Sequence, residues 1–110
     1  MTTPNNEHED RFWAVAAPLL DLPGISRSTM MGLPCLRVNT KFFGSFDPKT
    51  GDLLVKLPER RVDELVDDRV AHAFAPAGRR FRQWAAIAPD REDEWESLLG
   101  EALEFVASDQ

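Results

Sequence analysis

Between Met30 and Pro58 the apolar positions recur at every second residue. Leu36 and Val38 flank Arg37, and Leu53, Val55 and Leu57 alternate with Leu54 and Lys56. Successive side chains of a strand point to opposite faces, so this period predicts half-buried strands. Asn39-Thr40 and the run Asp47-Pro48-Lys49-Thr50-Gly51-Asp52 supply turn residues between them. Three short strands are therefore expected, with the helices packed around them. Pro34 falls at the start of its strand, where a missing amide donor is tolerated. Gly44, inside K-F-F-G-S-F, predicts a bulge or a close approach by another element. Simple alternation puts Phe42 and Phe46 on one face of that strand and Lys41, Phe43 and Ser45 on the other.

Outside this stretch the apolar period lengthens to three and four. Phe12, Val15, Ala16, Leu19 and Leu20 predict a helix over 7–22, with Pro18 giving a kink or a short 3₁₀ finish. Leu22-Pro23-Gly24-Ile25 turns the chain into a first strand, expected over 26–31. Pro58 suits the first position of a second helix, whose stripe is Val62, Leu65, Val66 and Val70 and whose end lies near Asp68. Residues 72–78 read as a loop anchored by Phe74. Residues 79–88 contain a strand with Trp84, Ala86 and Ala88 on one face. Asp90 suits the N-cap of a last helix, with Asp93 as a shortened capping box. Its stripe is Trp95, Leu98, Leu99, Ala102, Leu103 and Val106.

At 110 residues the chain is expected to be one domain, a flexible lead over 1–8 and a core over about 9–107. Cys35 is the only cysteine, which rules out an internal disulfide and favours a reducing compartment. The opening residues show neither a basic nor an apolar leader region, and no apolar run reaches membrane-span length. A cytoplasmic protein without membrane contact is expected. Charge changes the picture further. The net charge is −6, yet residues 26–61 sum to +4 and residues 90–110 to −7. The sheet is the basic part of an acidic chain, so long-range attraction of polyanions is weak while a local basic face remains available.

Two clusters bear on chemistry. Arg79-Arg80-Phe81-Arg82-Gln83-Trp84 interleaves cations with aromatics, a pattern that contacts phosphates while Phe81 or Trp84 stacks on a base. Its plainer reading is a solvated loop leading into a core strand anchored by Trp84. Arg37, Lys41 and Lys56 would join the cluster if the sheet face is open. Arg60 and Arg61 stand in the first turn of the second helix, where cations oppose the dipole, and local salt bridges with Glu59 or Glu64 account for them. Cys35 reads as a small buried hydrophobe. His8 and His72 form no metal spacing with it, and no glycine-rich phosphate loop is present. The acids of 90–96 read as ordinary residues of a helix N-terminus. No nucleophile–base–acid set appears, so neither an enzyme nor a cofactor is expected.

The segments L-L-D-L-P-G-I, M-G-L-P-C-L-R-V, K-F-F-G-S-F, L-L-V-K-L-P and F-A-P-A-G-R-R-F-R-Q-W together resemble the MmcQ/YjbR-like family. The resemblance runs from about Phe12 to Ala107 through Leu22-Pro23-Gly24, Gly32, Pro34, Lys41, Phe43, Lys56 and Trp84. It implies a small α+β domain: an antiparallel sheet of about five strands, with helices mainly on one side. It also implies DNA binding, expected here to be weak and salt-dependent, and brings no catalytic residues. The N-terminal domain of TfoX/Sxy regulators is similar too. It implies the alternative, a protein-interaction module acting without direct DNA contact through a sheet edge or the acidic last helix. A monomer or weak dimer is expected.

Overall fold

The computed structural model describes residues 7–30, 32–75 and 78–108. In chain order these form α1 (Glu7–Leu20), β1 (Ile25–Met30), β2 (Leu33–Val38), β3 (Lys41–Asp47), β4 (Asp52–Lys56), α2 (Glu59–Asp67), β5 (His72–Ala73) and β6 (Trp84–Ile87). A 3₁₀ segment, Pro89–Glu94, leads into α3 (Trp95–Ser108). The strands make one open antiparallel sheet in the order β1-β2-β3-β4-β6-β5. The architecture is α+β, with six strands where about five were expected. The additional strand is His72–Ala73, read from sequence as loop, which pairs with Ala85 and Ala86. Two residues are too few to show a period.

All three helices bury their apolar stripes against one face. Phe12 and Ala16 of α1, Val62 and Leu65 of α2, and Trp95, Leu98 and Leu99 of α3 join Leu36, Val38, Leu53, Val55, Ala85 and Ile87 in one core. Phe46 sits between Phe12 and Trp95, with ring centroids 5.7 and 6.3 Å away. Such aromatic pairs add about 0.5–1.5 kcal/mol each beyond their burial. Arg61 then ties α2 to α3: its Nε and Nη2 donate to the two oxygens of Glu101 at 2.9 and 3.0 Å, and Nη1 donates to Glu64 at 3.2 Å. The expected local partner Glu64 is present, and a second acid, distant in sequence, fixes the helix pair.

Gly44 fulfils both expectations. Leu36 lies opposite Gly44 but Arg37 lies opposite Phe42, which leaves Phe43 as the extra residue of a bulge. A Cβ on Gly44 would stand 2.5 Å from Leu99 Cδ1, so α3 approaches the sheet closely here and any larger residue would have to displace Leu99. The bulge also breaks the simple alternation. Phe43 and Phe46 are both fully buried in the core, whereas Phe42 is half-buried and turns to Arg37. The expected pairing of Phe42 with Phe46 on one face is corrected accordingly.

The helix ends depart from expectation for local reasons. Helix α1 includes Pro18 and stops at Leu20; Leu22 N–H then bonds to Leu19 O at 3.0 Å, a 3₁₀-type closure. His8, assigned to the flexible lead, belongs to α1, and residues 1–6 lie outside those described, as does Met31. Pro58 is the N-cap of α2 rather than its first helical residue. Asp90 is not an N-cap: Pro89 starts the 3₁₀ segment, no side chain caps it, and Arg91 at φ −113°, ψ 28° kinks the chain before α3. At the other end of α2, Arg69 takes φ 62°. Its N–H bonds to Val66 O and that of Val70 to Leu65 O, at 3.1 and 3.0 Å, a Schellman closure made without glycine.

Candidate nucleic-acid interface

Cross-strand partners share a face, so the register assigns each polar side chain to one side of the sheet. Val38 pairs with Lys41, and Val38 is in the helix-side core. Lys41 therefore stands at the margin of the helix side, exposed. Arg37, one residue earlier, falls on the opposite face, as do its partners Ser26 and Phe42. On β4 the core takes Leu53 and Val55, which leaves Leu54 and Lys56 on the opposite face with their partners Ala86 and Trp84. Arg37–Phe42 and Lys56–Trp84 are thus two cross-strand pairs on this face, a row stepped by one residue between β3 and β4, where the register that pairs Val55 with Gly44 sets Lys56 level with Phe43 rather than Phe42. All four are half-buried.

Beside this row a second line of residues crosses all six strands in register: Ser28, Cys35, Ser45, Leu54, Ala86 and His72. Small side chains dominate it, and Cys35, Ser45, Leu54 and Ala86 are buried. Ser45 donates its hydroxyl to Pro34 O at 2.8 Å. Cys35 is fully buried, in keeping with its reading as a small hydrophobe. Burial pushes its thiol pKa up, against the opposing pull of the Arg37 charge and a hydrogen bond with Ser28. At the far side of this line Asp47 pairs with Asp52. The buried Asp52 carboxylate lies 2.9 Å from His72 Nε2, linking β4 to the edge strand β5 across β6. The face is therefore polarised, with Arg37 and Lys56 on one side of the small-residue line and, on β3 and β4, Asp47 and Asp52 two residues away on the other.

Arg37 is the least satisfied group on this face. Its Nε is buried and has no hydrogen-bond partner among the described residues. The nearest favourable contact is the Phe42 ring, 5.8 Å from the guanidinium carbon. A buried donor left unpaired costs about 1–3 kcal/mol.

The arginines after β5 go elsewhere. Arg80 pairs with Asp63 at 3.0 Å and Arg82 with Glu59 at 3.5 Å, both acids of α2. Arg79 lies 5.5 Å from the Phe81 ring, and Phe81 packs on Phe74 at 5.8 Å. Phe74 is half-buried against that ring, the anchored aromatic expected of the segment. The sequence cluster is thus divided: Trp84 joins the row with Arg37 and Lys56, while Arg80 and Arg82 turn toward the helix side. Phe42, not singled out as a contact residue from sequence, belongs to the row. The only signal for it was Gly44, two residues on, whose bulge reverses the face of the preceding aromatic.

A shallow cleft of about 380 Å³ lies at the β1 edge between Trp13, Arg27, Ser28, Thr29 and Pro34. Its cation is already engaged, since the Arg27 guanidinium stacks 4.1 Å from the Trp13 ring centroid. Among the described residues no three His, Cys, Asp or Glu side chains group as a metal site requires. No helix among them is long and apolar enough to cross a membrane. Comparisons of the chain with protein-family models, with curated proteins and with solved structures give no match.

Proposed function

We propose that this chain is a non-catalytic DNA-binding module of the MmcQ/YjbR-like kind, contacting phosphates with Arg37 and Lys56 on the sheet face away from the helices. The observation that carries this reading is the placement of Arg37 and Lys56 on one sheet face, each opposite a half-buried ring, Phe42 and Trp84. These two cross-strand pairs, Arg37–Phe42 and Lys56–Trp84, lie one residue out of step. Arg79, Arg80 and Arg82 are secondary contacts in this reading. Two of them must first leave Asp63 and Glu59, although such exposed pairs are worth only about 0–1 kcal/mol. Lys41, on the other side of the sheet, is not part of the site. The fold supports a binding role through the cations and rings it sets on one face.

Fluorescence anisotropy of a labelled oligonucleotide against rising salt tests the proposal. Affinity should fall as salt rises, and Arg37→Ala and Lys56→Ala should each weaken binding and reduce the salt slope by about 0.7–0.9. Arg80→Ala should have the smaller effect. If neither single-stranded nor duplex DNA binds micromolar protein at low salt, the proposal fails. The chain then returns to the other expectation, a regulatory module of TfoX type that contacts protein alone.

A further inference from the structure

We infer that this face takes a single strand in preference to a duplex, with successive bases stacking on Phe42 and Trp84. The inference rests on the DNA-binding reading above and adds the form of the ligand. Four observations carry it. First, Phe42 on β3 and Trp84 on β6 share a face with only β4 between them, one residue out of step. Neighbouring strands are about 4.8 Å apart, so the backbones carrying the two rings are about 10 Å apart, room for two bases of an extended chain and their linking phosphates. Second, each ring has a cation directly opposite it in the ladder, Arg37 for Phe42 and Lys56 for Trp84. A stacking surface and a phosphate contact thus alternate across four strands, as a single strand alternates bases with backbone.

Third, both rings are half-buried. Their bases are fixed by the sheet and part of each ring remains accessible, which lowers the ordering cost of a stack. Duplex DNA keeps its base faces in its own stack and offers these rings nothing but groove edges and phosphate. Fourth, the electrostatics are too slight for a duplex. Two row cations neutralise about two phosphates, whereas the chain as a whole carries −6 and Asp47 and Asp52 stand on the same face. The duplex has the denser charge, one per about 1.7 Å of axis, and meets the greater repulsion. Stacking, worth roughly tenfold in affinity per base, must supply the larger share of binding.

The test compares oligothymidylate with an oligo(dA)·oligo(dT) duplex of the same length at one low salt concentration, using the full chain. The inference predicts tighter binding of the single strand, a salt slope near −1.4 for two contacts, and quenching of tryptophan fluorescence that disappears in Trp84→Phe. Phe42→Leu and Trp84→Leu should each weaken the single strand about tenfold. Both keep an apolar side chain at a half-buried site, and the quenching in the unmodified protein needs no variant at all. Equal or tighter duplex binding, or single-strand binding that both leucine variants leave intact, overturns the inference while the DNA-binding reading stands. Absence of binding by either polymer overturns both.

Discussion

Arg37 and Cys35 stand two residues apart on the same strand face, and their environments pull in opposite directions. The cation has a buried donor with no acceptor. The thiol is fully buried beside it, and that burial raises its pKa above the ordinary 9.0 more than the Arg37 charge lowers it. Because the folded thiol holds its proton to higher pH, the unfolded chain is the first to lose it. The contribution of Cys35 to stability is therefore complete below about pH 9 and is lost as pH rises beyond it. Denaturation midpoints across pH 8–10.5 should show an alkaline fall, at most about 1.4 kcal/mol per pH unit for one proton, that Cys35→Ala removes. A fall of the same size in the variant would place its origin elsewhere. Sequence showed Cys35 as a small hydrophobe and Arg37 as a candidate cation. It could not show that Arg37 lacks an acceptor, since that depends on which side chains the sheet brings within reach.

At the scale of elements, legibility followed periodicity. Strands β2 and β4 and the stripe of α3 repeat over enough residues to declare themselves, and their core sides agree with the pattern. What escaped was set by single residues. The bulge beside Gly44 was foreseen, but one extra residue reverses the facing of what precedes it, and Phe42 changed sides. The face of β6 was read as Trp84, Ala86 and Ala88. That face exists but points away from the helices, and the core takes Ala85 and Ile87. Alanines on both sides of a four-residue strand leave no contrast to decide it. The end of α2 hides its cap in another way, because Arg69 occupies the left-handed position where glycine is usual. That conformation costs a non-glycine residue about 1 kcal/mol. Arg69→Gly should accordingly raise stability by about 0.5–1 kcal/mol in chemical denaturation, despite the added freedom of the unfolded chain. A loss of stability would mean that the Arg91 contact to Arg69 O, at 3.4 Å, depends on the arginine at that site.

For the whole molecule, the distribution of charge matters more than its sum. The acids of α2 and α3 engage Arg61, Arg80 and Arg82 on the helix side, which removes three cations from the count available to a polyanion. Arg37 and Lys56 remain on the other side with two aromatic rings between and beside them. The sequence suggested a basic sheet, and the question it posed was whether those cations converge with Arg79–Arg82. They do not: the row gains Trp84 from that cluster and leaves its arginines behind. Such a division arises from strand register and from helix acids distant in sequence, neither of which a linear pattern contains. The central claim is that ligand contact centres on this row. Its most direct test is a titration of isotopically labelled protein with oligothymidylate, following backbone amides and the Trp84 indole by NMR. The account predicts perturbations centred on Arg37, Phe42, Lys56 and Trp84, with those of α2 and of Arg79–Arg82 smaller. Perturbations centred on Arg79–Arg82 and α2, or none at saturating oligonucleotide, would contradict it.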